Sequence, residues 1–351
     1  MAGFLFGIIR PVFSLIRLAT VALPQSMNIR YEEIRFRGKD IKVPSAQIDG
    51  RIVVVARRWP RIASVKDEEL VEGGVVPDPA SFISKLKISG LKIDILTFPQ
   101  AIYESNPKYD YPYEMDNAAV ASTANYDAWW EGLPQESRKN ARRAIKRGVC
   151  FQVAELDDDF IKGIKRIYDE SPIRQGMRFW HYRKSLDRVR LENATYPERS
   201  EFIGAYFKGE LIGFMKWVYV DKVAQIMQIL SMSSHYDKRP MNGMIAKAVE
   251  VCHQKGIQYL VYSKFTFGNK TASQLSDFKR RNGFLKMNFP RYFVPLTSKG
   301  HIVVKLGLHR GLLGVLPPRL IGLLWAVRGQ AFRLATRLGH GRGHSGNVAN
   351  K

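Results

Sequence analysis

The segment 168–184, YDESPIRQGMRFWHYRK, concentrates side chains that bind ligands or carry protons. Aromatic rings and guanidinium groups that alternate in a loop favour recognition of a small molecule over packing. His181 adds an imidazole that can exchange a proton near neutral pH, which makes it a candidate for catalysis. We therefore predict that the segment binds substrate through Glu170, Arg174, Arg178, Trp180 and Tyr182. Trp180 fits equally well as an anchor that holds the loop in the core.

A second cluster follows the almost wholly apolar stretch VAQIMQILSM at 223–232. His235 lies just beyond it and is a candidate general base, since its ordinary pKa is near neutral. A histidine that only bonds to backbone is an equal alternative. The following residues open a helix, and a helix amino terminus attracts anions. The candidates for binding donor phosphate there are Lys238, Arg239, Asn242 and Gly243, although Asn242 also fits a plain N-cap.

The elements that must position these residues alternate between strand and helix over 202–296. The pattern predicts a hairpin turning at Lys208-Gly209, a third strand, a helix that ends at Gly256, another strand, a helix that ends at Asn282-Gly283, and a last strand.

Upstream of that stretch, strands are predicted within 28–56 and over 91–98, a helix over 79–88, and an ordered loop over 104–117. Further on, Asp127 and Ser137 are expected to cap two helices, and a third helix is expected over 157–171. A helix start explains the acidic run 157–159 without a metal ion.

This order resembles the GNAT fold of acyl-CoA N-acyltransferases, and within it the FemAB-like branch of aminoacyltransferases. Three stretches carry the resemblance: RKNARRAIKRGV at 138–149, FIGAYFKGELIGF at 202–214 and SDFKRRNGF at 276–284. The match covers roughly 120–296. It implies an α/β (α+β) fold with a GNAT-like mixed central sheet flanked by helices, and a partial GNAT-like unit before it.

The expected organisation has five parts. We predict an amphipathic N-terminal helix over 1–24, a β-rich and degenerate GNAT-like unit over 28–118, and an acyltransferase domain over 119–298. Basic amphipathic C-terminal helices are predicted over 299–338, and a disordered tail over 339–351.

The resemblance also implies chemistry. GNAT-type transfer is a direct attack of an amine on the acyl carbonyl, so no covalent nucleophile is needed. The lysine of the branch's Phe-Lys pair is associated with the acyl-transfer centre, which points to Lys279 beside Phe278. An ammonium there would stabilise the negative charge of the tetrahedral state. Because Arg280 and Arg281 follow, an ordinary surface lysine is the alternative. The resemblance places the acceptor loop at 168–184.

The donor stays open between acyl-CoA and aminoacyl-tRNA. Acetyl-CoA users typically carry Q/R-x-x-G-x-G/A before the helix that follows the long strand. Counted from Arg239, the first glycine is replaced by Asn242 and the small residue by Met244. The sequence therefore lacks the usual pattern for binding the CoA pyrophosphate. The FemAB-like branch, whose donors are aminoacyl-tRNAs, departs from that pattern in the same way.

Charge limits the partners. The formal net charge is +23, of which +3 lies in 1–31, +6 in 137–148 and +8 in 301–351, all without an acidic residue. Such segregation favours a polyanionic partner, either tRNA or an anionic membrane that binds 1–24 and 301–338. A role of the charge in solubility alone is the alternative. The alternatives to an N-acyltransferase are thus a non-catalytic nucleic-acid-binding protein or a peripheral membrane protein. A packed terminal helix is the structural alternative for either end.

Two cysteines, Cys150 and Cys252, exclude a disulfide framework and Cys₄ or Cys₂His₂ zinc sites, and no metal is expected. The predicted location is cytoplasmic, peripheral on the inner face of the membrane.

Overall fold

The computed structural model describes residues 29–36, 39–56, 59–66, 76–174, 177–266 and 273–310. The predictions for 1–24 and 339–351, and that for 299–338 beyond residue 310, lie outside these ranges.

Fourteen strands lie in the described ranges. In chain order, β1 to β14 are Arg30–Phe36, Lys39–Ile48, Arg51–Val55, Ile62–Val65, Ile95–Pro99, Tyr113–Ser122, Val149–Ala154, Ile173–Arg174, Met177–Arg178, Ser200–Phe207, Glu210–Val220, Val223–Ser231, Tyr259–Val261 and Leu285–Pro295.

Eight α-helices lie in the same ranges. In chain order, α1 to α8 are Pro79–Ile88, Tyr126–Gly132, Gln135–Lys146, Asp158–Asp169, Leu186–Asn193, Pro240–Gln254, Gln274–Arg281 and Ser298–Lys305, and two 3₁₀ turns cover Ser233–Lys238 and Leu308–Arg310.

Twelve of these strands form one mixed sheet, and β8 and β9 form a separate pair. The order in the large sheet is β1-β2-β3-β4-β5-β14-β6-β13-β12-β11-β10-β7. The predicted mixed α/β fold, with a central sheet flanked by helices, is confirmed.

The sheet has two halves that share one plan. We call β1–β5 the first half and β7 with β10–β13 the second half. Each half is antiparallel except for one parallel pair, β4 with β5 and β12 with β13. At the centre, β14 pairs with β5 and β6 pairs with β13. Each half is therefore continued by a strand that the chain supplies from the other part of the sequence.

Four apolar clusters pack on the sheet, and three of them join it to helices. The largest joins the second half to α3, α6 and the end of α7 through buried residues such as Trp217, Met244 and Phe284. A second cluster packs α4 and α5 against the opposite face of the same strands. A third packs α1 on the first half. The second half is thus a sheet between two helical layers.

Most local predictions hold. Helix α1 begins after Asp78, whose carboxylate accepts from the Ser81 amide, and α6 ends before Gly256 at a φ of 70°. The helix expected over 157–171 is α4, which begins one residue later because Asp157 is its N-cap. The predictions of Asp127 and Ser137 as caps are wrong, because α2 is capped by Asn125 and α3 begins at Gln135 with Ser137 buried inside it.

The loop predicted over 104–117 is wrong in its last part, because β6 begins at Tyr113. The strand YEMDNAAVAS has few β-branched residues, and its small side chains are buried by partners on both sides. The predicted domain boundary at 118/119 falls inside this strand, and the division into domains stays a prediction. In the ranges described, no helix combines the length and apolar character that crossing a bilayer requires.

Candidate functional site

The second half of the sheet opens where β12 and β13 part. Their parallel pairing covers three residue pairs, from Val223 opposite Tyr259 to Gln225 opposite Val261. Strand β12 then runs on to Ser231 beside β11 alone, with a register shift that leaves Met227 between two paired residues. The Met227 side chain is 36% exposed in an otherwise buried strand. The parting leaves a wedge between the two strands, which we call the opening.

The edge of the opening that follows β13 is polar and accessible. Residues 262–266 continue beside β6, with the Tyr262 amide donating to Ala119 O at 2.8 Å. Ser263 and Lys264 are exposed. The Lys264 ammonium donates to both carboxylate oxygens of Asp116 at 2.8 and 2.9 Å.

Lys279 lies directly beneath this edge. Its side chain is fully buried, its Nζ donates to Lys264 O at 2.7 Å, and the ammonium lies 4.5 Å from the centre of the Tyr262 ring. Burial lowers the pKa of Lys279 to about 8 and raises that of Tyr262 to about 12. The alternative of an ordinary surface lysine is therefore wrong, although Arg280 and Arg281 beside it are exposed.

Two of the residues predicted to bind the acyl donor, Asn242 and Phe278, meet Lys279 where α6 begins and α7 ends. Asn242 donates from Nδ2 to Asn282 Oδ1 at 2.8 Å, and Asn282 in turn donates to Phe278 O at 2.8 Å. Phe278 packs on the main cluster. The structure thus brings Asn242, Phe278 and Lys279 together as one junction on the face covered by α6.

The start of α6 offers little backbone to a pyrophosphate. Pro240 has no amide hydrogen, and the amides of Asn242 and Gly243 donate to Arg239 O at 3.2 and 3.5 Å. A Cβ on Gly243 would lie 2.1 Å from the Phe151 ring, so this glycine permits close packing. The geometry agrees with the missing glycine pattern in the sequence.

His235 does not join Lys279. Its ring lies 5.7 Å from that of Phe207, at the end of β10, and its Nδ1 is buried without a hydrogen-bond partner. Strands β11 and β12 separate β10 from β13, and each adds about 4.8 Å. Lys238 lies 4.8 Å from the same Phe207 ring and bonds Asp237, and Arg239 is exposed at a φ of 55°.

On the opposite face, Glu170 and Arg174 hold the far end of β12. The Glu170 carboxylate accepts from the amides of Ser233 and Ser234 at 2.7 and 2.9 Å. Burial raises the pKa of Glu170, but these bonds and Arg174 outweigh it and lower the pKa below its usual value. Arg174 donates to Ser231 O at 2.9 Å. Both side chains therefore fix one border of the opening from the acceptor loop.

His181 lies in a buried polar chain that reaches β12. Its Nε2 is 3.1 Å from Gln228 Nε2, and Gln228 Oε1 accepts from the Tyr168 hydroxyl at 2.8 Å. On the other side, His181 Nδ1 is 3.6 Å from Glu192 Oε2. The Lys184 ammonium also lies 3.4 Å from His181 Nδ1, so both ring nitrogens of His181 have polar neighbours. This chain links the loop to the strand residue that follows Met227.

The remaining loop residues lie nearer the surface. Trp180 is 46% exposed and its ring lies 3.9 Å from that of His181, so it covers the histidine and is not a core anchor. Tyr182 is half-buried, with Arg183 over its ring, and Arg178 is exposed.

Gln228 and Tyr168 were not identified from the sequence. The cluster in which Asp116 binds Lys264 and Arg291 was not identified either. Arg291 Nε donates to Asp116 Oδ2 at 2.9 Å beside Lys264. The burial of Asp116 raises its pKa, but these two cations outweigh that effect and lower it. One signal was present for Gln228: it is an amide within an apolar strand, VAQIMQILSM.

Two cavities in the described part of the chain are lined by neither Lys279 nor His235. One of about 490 Å³ adjoins the acceptor loop and is lined by Lys162, Lys165, Arg166, Asp169, Glu170 and Leu186. The other, of about 330 Å³, lies between α3 and α7 and is lined by Pro134, Glu136, Ser137, Arg280 and Arg281.

The described residues include no cluster of side chains that could bind a metal ion. Across the ranges given above, no three His, Cys, Asp or Glu side chains are grouped to hold an ion. Cys252 is buried, which raises its pKa to about 12, whereas Cys150 is exposed.

No protein-family model and no curated protein sequence matches the chain. Among solved structures, FemX is 10% identical and similar over 80% of this chain and 90% of its own, with a TM-score of 0.48. L-PGS from Bacillus licheniformis is 12% identical over 76% and 85%, with a TM-score of 0.44. A tandem GNAT protein from the clavulanic acid biosynthesis pathway is 10% identical over 79% and 85%, with a TM-score of 0.41.

The GNAT-like order is visible in the strands themselves. A hairpin (β10, β11), a long strand (β12), a helix (α6), a parallel strand (β13), a helix (α7) and a last strand (β14) follow one another as the sequence predicted. The order and pairing of these elements thus make the fold GNAT-like.

Proposed function

We propose that the protein is an N-acyltransferase that moves an acyl or aminoacyl group from an activated donor to an amine at the opening between β12 and β13. One observation carries this proposal: the opening is bordered on one face by the junction of Asn242, Phe278 and Lys279, and on the other by the loop that carries Glu170 and His181. Two substrates that approach from opposite faces would meet at Met227.

The reaction needs two kinds of help. The amine nitrogen attacks the acyl carbonyl, the donor's sulfur or ribose oxygen leaves, and the amine loses a proton. Positive charge from Lys279 and Lys264 would stabilise the oxyanion. His181 is the better-placed of the two predicted histidines, because its Nε2 lies 3.1 Å from Gln228 of β12; to take the proton, this nitrogen would have to exchange the Gln228 contact for the amine.

The acceptor would be recognised by Arg178, Trp180 and Tyr182 near the loop surface, with Glu170 and Arg174 shaping the border. An amine of a cell-envelope or polysaccharide precursor is the acceptor class that the FemAB-like resemblance suggests.

Aminoacyl-tRNA is favoured over acyl-CoA as donor. The start of α6 has few amides to offer a pyrophosphate, whereas α3 presents a basic stripe. Lys139, Arg142 and Lys146 are exposed at spacings of three and four residues, and the buried face of α3 is Ser137, Ala141 and Ala144. Such a stripe suits a phosphate backbone.

The test supplies both donor classes, acyl-CoA esters and charged tRNA, to the full chain with a panel of amines. We expect transfer that falls about a hundredfold or more in Lys279→Met. Lys216→Met is the matched control, since Lys216 is also buried but caps α5 through Asn193 O and Thr195 O at 2.7 and 2.8 Å. The proposal fails if neither donor binds by calorimetry, or if Lys279→Met transfers like the wild type.

The same basic stripe favours a second candidate, a non-catalytic tRNA-binding protein. In that case tRNA would bind with a steep salt dependence, and Lys139→Ala/Arg142→Ala/Lys146→Ala would lower the slope by about 3, without any transfer by the wild type. Affinity that is flat with salt would rule it out.

A further inference from the structure

Helix α8 exposes apolar side chains on a described surface that the site does not use. Ile302 and Leu306 are 60% and 61% exposed, and they share one helix face with Lys299. Trp59 is 62% exposed, and the Lys299 ammonium lies 5.5 Å from its ring. We call Trp59, Lys299, Ile302, Lys305 and Leu306 the α8 surface.

Helix α8 is held in place by contacts that do not involve these exposed residues. The inward face carries Gly300 and Val303, both buried, and the Gly300 position lies against Asp94 O. Thr297 caps the helix through the Gly300 amide at 3.0 Å. The helix is thus anchored on one side and leaves two aliphatic side chains and an indole to solvent.

Charge around this surface is positive. The buried Asp94 carboxylate bonds Arg61 at 3.1 Å and Lys299 at 3.3 Å. Beyond Asp277 the sequence has no Asp or Glu, and Arg57 and Arg58 directly precede Trp59.

The chain leaves the α8 surface toward a segment of similar character. His309 and Arg310 both lie 2.6 Å from Glu114 Oε1, which fixes the last described residues on the sheet. The sequence from 311 to 338 then carries eight leucines, Trp325 and four arginines.

We propose that the α8 surface docks on an anionic lipid bilayer. Exposed indole and aliphatic groups rimmed by lysine and arginine fit the headgroup boundary, where apolar groups enter the acyl region and cations meet lipid phosphate. This inference is independent of the proposed function, since none of these residues lies at the opening.

The experiment measures co-flotation of the full chain with vesicles of phosphatidylglycerol and phosphatidylcholine, and with phosphatidylcholine alone. We expect binding to the anionic vesicles that salt weakens, and a loss of about tenfold or more in Ile302→Ser/Leu306→Ser. Ile88→Ser/Leu191→Ser is the matched control, because those side chains are 67% and 63% exposed on α1 and α5. Thermal melts establish that both variants fold.

Hydrogen exchange of the peptide 298–306 gives a second readout, with protection expected on anionic vesicles. The proposal is overturned by equal flotation of the two double variants or by equal binding to neutral vesicles. It is also overturned if the wild type ignores vesicles and instead forms a dimer that Ile302→Ser/Leu306→Ser dissociates.

Discussion

The two halves of the sheet share a strand plan but differ in the residues just beyond the parallel pair. In the first half, β4 and β5 pair over Ile62–Ser64 and Ile95–Thr97, and the next five residues, 98–102, are all buried. In the second half, β12 and β13 also pair over three residues, but 262–266 are half-buried or exposed. The same frame is therefore closed in one half and open in the other.

The closure of the first half has a specific cause. The buried Gln100 side chain donates to Glu104 O and Asn106 O, and its Oε1 accepts from the Tyr292 hydroxyl at 2.6 Å. The rings of Phe98 and Tyr292, 5.1 Å apart, fill the remaining space. The corresponding place in the second half holds Lys264 and, beneath it, Lys279. A satisfied amide and packed rings therefore fill this place in the first half, whereas in the second half it is a polar, accessible edge over a buried ammonium.

The largest effect on folding is expected where α8 meets Asp94, directly before β5 of the first half. A Cβ at Gly300 would lie 2.0 Å from Asp94 O, and one at Gly243 would lie 2.1 Å from the Phe151 ring. Because backbone cannot yield as a half-exposed ring can, Gly300→Ala should cost about 3 kcal/mol and Gly243→Ala about 1 kcal/mol. Urea unfolding of the two variants measures the difference. Equal losses would show that the second half is packed as rigidly as the first.

The dependence of the unfolding free energy on pH should reveal the buried Lys279 ammonium of the open half. Burial lowers its pKa from 10.5 to about 8, so between these values the unfolded chain holds more protons and the free energy of unfolding rises with pH. The rise attributable to Lys279 should reach about 3 kcal/mol, and Lys279→Met should lack it. Denaturant unfolding at about pH 7.5 and about pH 10 tests this. Parallel pH curves for wild type and variant would contradict it.

Removing a hydrogen bond that closes the first half should lower the free energy of unfolding by a smaller amount. In Tyr292→Phe, the Lys108 amide loses an acceptor at 2.9 Å and Gln100 loses a donor. A loss of about 1–3 kcal/mol in unfolding free energy is expected. Tyr113→Phe, at a tyrosine 46% exposed, is the control and should change little. If Tyr292→Phe is neutral, hydrogen bonding does not close this half.

The smallest effect concerns the border of the opening. Glu170→Gln leaves one oxygen to serve the Ser233 and Ser234 amides and should cost about 1 kcal/mol at neutral pH. Since the folded pKa of Glu170 is lowered, the wild type holds this advantage above the carboxyl's ordinary pKa. It loses the advantage as the pH falls through the pKa that Glu170 has in the folded protein. Unfolding at about pH 7 and about pH 3 should show the gap closing, and a gap that persists in acid would refute a role for the carboxylate charge.

Local features of the fold could be predicted, and the candidate site could be predicted in part. Asp78 with Pro79, Asp157 with the acids after it, and the Lys208-Gly209 turn each act through neighbours within four residues, so their elements follow from the sequence. The strand β6 could not be found in this way, because its alanines become strand only between β13 and β14.

The sequence alone determined that 202–296 alternates as hairpin, strand, helix, strand, helix and strand, that positive charge is segregated, and that Lys279 follows Phe278 on a helix. Only the tertiary structure decided that Lys279 is buried beneath Lys264 while His235 lies against β10, and that Gln228 joins His181 to the opening. The physical reason is distance along the chain. A cap or turn depends on bonds to adjacent residues, whereas burial and the meeting of side chains depend on strands and loops paired from remote parts of the sequence.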